Sequence, residues 1–201
     1  MEDMVKLIAN NLVIACKRAY NRGIQTGSGG NVSARIPGKD LMIVKESGSS
    51  LGDSTAEGFV ITDFDGNMVE GTGKPTREAF LHGLLYKLCP EVNAVVHFHA
   101  PHAIGWASTG RYLPRVTWHS KLKIAADIPV LDIPSAMVRE EDSPLIEKIL
   151  REDPKLPGFI LVDHGIVAMD KDPLNALHNA ELIEETAQVA ILKELVAKLV
   201  L

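Results

Sequence analysis

The chain has 201 residues, 46% of them hydrophobic and 23% charged, which suits one α/β domain with a sizeable core. A formal charge of −5 with no basic block, and aromatic residues at only 5%, argue against a nucleic-acid partner. No apolar run reaches membrane-spanning length and the N-terminus carries no apolar signal core, so a cytoplasmic protein without a membrane partner is expected.

From the N-terminus, Val5, Ile8, Leu12, Ala15, Cys16 and Ala19 recur at helical spacing and predict a helix over residues 3–21, stopped by Gly23. Residues 26–35 (TGSGGNVSAR) read as a Gly-rich turn running into a short alternating strand, with residues 41–44 as its hairpin partner across Pro37 and Gly38. A strand over 59–62 follows, and a loop rich in Gly and Pro opens a helix near Thr76 that Pro90 closes. Further on, the pattern predicts a strand from Ala94, a short helix over 101–108, a strand over 128–131 and a helix over 145–150 capped by Ser143. Strands over 159–162 and 166–169 and a long helix from Pro173 complete the chain. Cys16 and Cys89 fall in apolar helical contexts and are expected to be reduced core thiols.

The stretch with the most chemistry is AVVHFH, residues 94–99. Side chains two apart on a strand share a face, so His97 and His99 project together. Unpaired buried polar groups cost about 1–3 kcal/mol each, and a shared divalent cation removes that cost by taking one nitrogen from each ring. A solvated or hydrogen-bonded pair is the alternative. His164 stands before Gly165, where the backbone must turn tightly or approach something closely. Alone it reads as a hydrogen-bonded core histidine; with His97 and His99 it makes the three-imidazole set of a catalytic zinc site. Glu78, in the first turns of the helix from Thr76, is either an acid favoured by the helix dipole or a base beside the cation. Gly29, Gly30 and Asn31, Ser47 and Gly48, and Lys74, Thr76 and Arg77 form three loops whose N–H groups, hydroxyls, amide and charge suit phosphate or carboxylate. The first is no dinucleotide fingerprint, because a helix precedes it and a hairpin strand follows.

In this order, GGNVS, KP-x-x-E, AVVH-x-H and DHG resemble the class II aldolase/adducin family, and the likeness spans nearly the whole chain. The resemblance implies a three-layer αβα sandwich around a largely antiparallel sheet, a single domain over residues 1–201, assembled as a homotetramer with sites between subunits. It implies a divalent metal, Zn²⁺ first, on His97, His99 and His164, with Glu78 approaching the metal as the acid/base. Gly30, Asn31, Ser47, Gly48, Thr76 and Arg77 match positions that hold the phosphate of a sugar or sugar-acid substrate. The leading reaction is retro-aldol cleavage of a sugar phosphate through a metal-stabilised enediolate, as in fuculose-phosphate aldolase. Decarboxylation of a 3-oxo sugar-acid phosphate comes second and 4-epimerisation third. A non-catalytic adducin-like binding module is the competitor, and it should have lost the ligands retained here. Two departures stand out. Arg77 replaces a small hydroxyl residue, and the mid-chain loop over 116–120 (VTWHS) lacks the aldolases' tyrosine proton donor, leaving His119 or a water to substitute. His82, His102 and His178 are expected to have ordinary structural roles, His102 facing away from the metal, and Trp106 and Trp118 to be core or interface residues.

Overall fold

In the computed structural model, which describes residues 2–200, the N-terminal periodicity folds as α1 (Glu2–Asn21). It lays Leu12, Ala15, Cys16 and Ala19 into the core, where each large aliphatic stabilises the fold by about 1.5–3 kcal/mol. The expected hairpin is β1 (Asn31–Arg35) with β2 (Leu41–Lys45), Ser33 opposite Val44. β3 (Phe59–Asp63) and β4 (Met68–Glu70) extend it, followed by α2 (Ala79–Leu88), β5 (Ala94–Phe98), α3 (Pro101–Ala107) and α4 (Trp118–Lys123). β6 (Val130–Leu131), α5 (Ser143–Glu152), β7 (Gly158–Leu161), β8 (Gly165–Asp170) and α6 (Pro173–Leu199) finish the fold.

The strands form one eight-stranded sheet in the order β4-β3-β2-β1-β5-β8-β7-β6, antiparallel throughout except for the β6–β7 pair. In its middle Asn31 of β1 lies opposite His97 of β5, and His97 opposite Val167 of β8. Helices cover both faces. Val32, Ala34, Val96 and Phe98 pack with α1, α3 and α6, whereas Met42, Val95, Phe159 and Val167 pack with α2 and α5. The architecture is the three-layer αβα sandwich expected from the resemblance.

Several boundaries differ from the sequence expectation. β1 does not alternate in burial: Asn31 to Ala34 are all buried, because helices sit on both sides of it. α2 begins at Ala79 rather than Thr76, because Thr76 N–H donates to Lys45 O at 3.0 Å and keeps the chain extended. The strand expected over 128–131 shrinks to two residues, since Ile128 exchanges backbone bonds with Leu113. β4 and α4 were not expected: β4 is wholly exposed, and α4 buries only Ser120, so neither carries an apolar period. A Thr117–Ser120 capping box holds α4 instead. Both cysteines are free and buried, as expected. Among the described residues no helix is long and apolar enough to cross a membrane.

Candidate metal centre and substrate cleft

Alternation along β5 sends His97 toward the α2 layer, and His99, one residue past the strand, keeps to the same side with ring centroids 5.1 Å apart. His164 arrives from the turn between β7 and β8, its ring 4.5 Å from that of His97 and 5.3 Å from that of His99. One nitrogen from each ring lies within 4.8 Å of the others, so the three could hold one cation.

Close backbone packing makes this possible. Gly165 has φ +141°, and a Cβ there would stand 2.2 Å from Phe98 O and 3.0 Å from His99 Cα. Only glycine lets the His164 turn lie against the end of β5. The Gly-rich loop does the same from the other side, since a Cβ on Gly29 would meet His99 Nδ1 at 2.7 Å. Buried Gln25 then fixes His99 from behind: its Oε1 accepts the His99 backbone N–H at 2.7 Å, and its Nε2 donates to Thr26 O.

His97 is fully buried, and its Nδ1–H donates to Ile166 O at 3.0 Å. Burial first, then the neighbouring His164 and His99, hold its pKa well below the ordinary histidine range. The ring is therefore neutral with a free lone pair on Nε2, 3.2 Å from His164 Nε2. Partial burial and His164 lower His99 as well, against the opposing pull of Glu78.

Glu78 is the N-cap residue of α2, yet its side chain makes no capping hydrogen bond. The carboxylate turns into the imidazole set instead of capping the helix. Oε2 accepts from Asn31 Nδ2 at 2.8 Å and lies 3.3 Å from His97 Nε2; Oε1 lies 3.6 Å from His164 Nε2. Oε1 is buried without a hydrogen-bond partner. An orphaned carboxylate oxygen beside a neutral imidazole lone pair is costly, and a divalent cation among these donors would satisfy both at once. Three imidazoles and a carboxylate fit Zn²⁺ and its borderline neighbours.

Beside the imidazoles opens a cleft of about 320 Å³ lined by Gly30, Asn31, Ser47, Gly48, Thr76, Arg77, Glu78, His99 and His164. The loop residues singled out in the sequence, Lys74 apart, therefore meet at one place. Backbone bonds staple the second loop to the third, Ser47 N–H to Lys74 O at 2.8 Å and Thr76 N–H to Lys45 O. Asn31 differs from the rest of the loop set: its side chain bonds Glu78 and His82, so it stands beneath the carboxylate. The cleft also holds Ser28, Lys45, Ala136 and Met137, which sequence reasoning missed. Lys45 closes an apolar strand and reads as an ordinary terminus; its buried ammonium, lowered in pKa mainly by desolvation, donates to Glu46 O. Ala136 and Met137 come from the loop after β6, where no residue type marks a site.

Other candidates lie elsewhere. His119 is on α4, 3.3 Å from Glu185 of α6, and lines a separate cleft with His178. Within this chain it is no substitute proton donor, because α4 packs on the layer opposite Glu78. His102 faces away from the imidazoles as expected: its Nδ1 meets Glu184 Oε1 at 2.7 Å, while Glu184 Oε2 accepts the Ala103 N–H. Trp106 is core, whereas Trp118 is 81% exposed.

Residues 10–191 match the family described as the Class II Aldolase and Adducin N-terminal domain. Over 181 residues the chain is 33% identical to an L-ribulose-5-phosphate 4-epimerase, UlaF, of Salmonella paratyphi B, covering 84% of this chain and 77% of that protein. Among solved structures, an L-fuculose 1-phosphate aldolase superposes with a TM-score of 0.82 at 24% identity, over 93% of this chain and 86% of the other. The L-fuculose-1-phosphate aldolase of Thermus thermophilus gives 0.81 at 20% identity, over 95% and 96%. At such identities the structural likeness speaks for the fold, while the family match and the 33% relative speak for descent. The chain belongs to the class II aldolase and adducin family.

Proposed function

We propose that this protein is a metal-dependent enzyme that breaks the carbon–carbon bond β to a carbonyl in a sugar phosphate, the retro-aldol step. The observation that carries this reading is the convergence of His97, His99 and His164 with the unpartnered Glu78 Oε1, beside a cleft of anion-suited loops. When bound, a divalent cation, Zn²⁺ first, supplies Lewis-acid polarisation of the substrate's carbonyl and adjacent hydroxyl oxygens. The residues of the chain do the rest. The N–H groups and hydroxyls of Gly30, Ser47, Gly48 and Thr76, with Arg77 and Lys45, hold the phosphate and so fix the reacting end against the imidazoles. Glu78 Oε1 takes the proton of the β-hydroxyl as the bond breaks, and Oε2 stays anchored on Asn31.

A second outcome of the same step is favoured by the 33% identical relative, which is named as a 4-epimerase. In a 2-ketose the proton on C4 is not adjacent to the carbonyl and is not acidic, so simple deprotonation cannot invert that centre. Breaking the C3–C4 bond and re-forming it on the opposite face can. Aldolase and epimerase thus differ in whether the aldehyde leaves or re-adds, and Glu78 serves both.

The test is to incubate the Zn²⁺-loaded protein separately with L-fuculose 1-phosphate, L-ribulose 5-phosphate and a 3-oxo sugar-acid phosphate, scoring free aldehyde, C4 epimer and CO₂. Aldehyde or epimer formed by the parent and abolished in His99→Ala supports the reading. CO₂ from a 3-oxo sugar-acid phosphate alone would replace it with decarboxylation. No turnover of any of these by metal-loaded protein would favour a binding module.

A further inference from the structure

The face of β1 that meets α2 carries an unbroken run of buried polar side chains leading away from Glu78. Asn31 and Ser33 share that face of the strand, and Glu78, His82 and Tyr86 recur every four residues along one row that runs from the N-cap of α2 into the helix. Asn31 Nδ2 donates to Glu78 Oε2 at 2.8 Å, so its Oδ1 is left to accept, and that oxygen contacts His82 Nε2. His82 is wholly buried and neutral, its pKa pushed down to about 3 by burial, so with Nε2 protonated its Nδ1 can only accept. Ser33 Oγ lies 2.6 Å from that Nδ1 and 2.7 Å from Tyr86 Oη. The direction of every bond then follows: Tyr86 donates to Ser33, Ser33 to His82, His82 to Asn31, and Asn31 to Glu78.

A leucine at 82 would fill similar space and bury no polar group, so packing does not account for the arrangement. Its effect is on the Asn31 amide. Turned over, that amide would set its carbonyl oxygen against the Glu78 carboxylate and its NH₂ against the His82 N–H.

We propose that His82 is a positioning residue for Glu78: through Asn31 it pins Oε2 and leaves Oε1 aimed at the imidazole set, while Ser33 and Tyr86 fix the tautomer of His82. The inference rests on the metal-centre reading of the site, and its test has one arm that needs no metal. In metal-free protein at neutral pH, ¹⁵N imidazole spectra should give His82 as the Nε2–H tautomer; the Nδ1–H tautomer would overturn the relay.

The second arm measures Zn²⁺ affinity by chelator competition, kcat, KM and inhibition by inorganic phosphate. The variants are His99→Ala, His82→Leu, His82→Gln, Ser33→Ala and Tyr86→Phe. His82→Leu should weaken Zn²⁺ binding and lower kcat by about 10–100-fold, the usual effect of losing a partner behind a ligand. Phosphate inhibition should not change. His82→Gln retains an N–H for Asn31 and should recover most of the loss; Ser33→Ala should be intermediate and Tyr86→Phe close to the parent. If His82→Leu and His82→Gln behave alike, the relay is wrong. If His82→Leu does not fold, Ser33→Ala decides, because equal behaviour of Ser33→Ala and Tyr86→Phe also overturns it. A parent that binds Zn²⁺ no better than His99→Ala would instead sink the metal-centre reading, whichever tautomer His82 adopts.

Discussion

β1 puts two kinds of interior side by side. Val32 and Ala34 face α1 and α6 among aliphatic side chains, while Asn31, Ser33 and Arg35 face α2 and each finds specific hydrogen-bond partners there. Arg35 closes that side, donating to Tyr86 O and stacking over the Phe64 and Tyr86 rings at 4.9 and 5.1 Å. Residues 31–34 are buried on both faces and Arg35 is half-buried, but the two faces are specified differently. On the apolar face shape and volume decide, and similar residues can exchange. On the polar face direction decides, because each donor must meet an acceptor and an unmatched group costs about 1–3 kcal/mol. A fold can therefore be stabilised from one side of a sheet and given its chemistry from the other.

The sharpest way to break the comparison is Glu78→Gln, which keeps the size of the polar face and removes its charge. Turnover should fall about 10²–10⁴-fold while the thermal midpoint stays near that of the parent, read by kcat and a melting curve. An active variant would remove Glu78 from the chemistry. Leu12→Ala makes the opposite cut. It should cost about 2–5 kcal/mol in urea unfolding yet leave Zn²⁺ stoichiometry and kcat unchanged in the folded protein. A loss of metal in that variant would mean the two faces are coupled.

Acid should separate the faces more gently. His82, His97 and His99 all have folded pKa values below the ordinary value of 6.5. Below that pH the unfolded chain takes up protons that the native state refuses. Stability of the metal-free protein therefore falls as pH drops from about 6.5, by up to about 1.4 kcal/mol per pH unit for each of the buried His82 and His97 in its window, and by less for the solvent-screened His99. For His82 the window closes at about 3. Urea unfolding at pH 7 and pH 5 checks the sign, and His82→Gln should flatten the slope. The smallest effect belongs to Arg77→Ala at the exposed rim of the cleft, where KM should rise a few-fold at low salt, less at high salt, with kcat unchanged. A fall in kcat would mean that Arg77 reaches the reacting end.

Much of this was legible in the chain itself. Val95, Val96, His97 and His99 announce a strand whose alternation must place two imidazoles together, and Gly165 beside His164 announces a close approach, which proved to be contact with Phe98 and His99. Helix starts were read less well, because the bond from Thr76 to Lys45 that delays α2 joins residues far apart in sequence. Gln25, Lys45 and His82 carried no local mark, since a buried amide, ammonium or imidazole looks like any surface residue until its partners are known. His119 is the opposite case: the resemblance offered it, or a water, in place of the family's mid-chain tyrosine, and within this chain its α4 helix packs against α6.

The sequence by itself determined which residue types could do chemistry and which strands would be buried, because periodicity and side-chain chemistry are local properties. The tertiary structure alone decided where those groups point. That Glu78 turns from its helix cap to the imidazoles, that Asn31 stands beneath it, and that His82 lies behind them both depend on β1, β5 and α2 meeting across the sheet. Hydrogen-bond direction is a property of the pair, and only packing chooses the pairs.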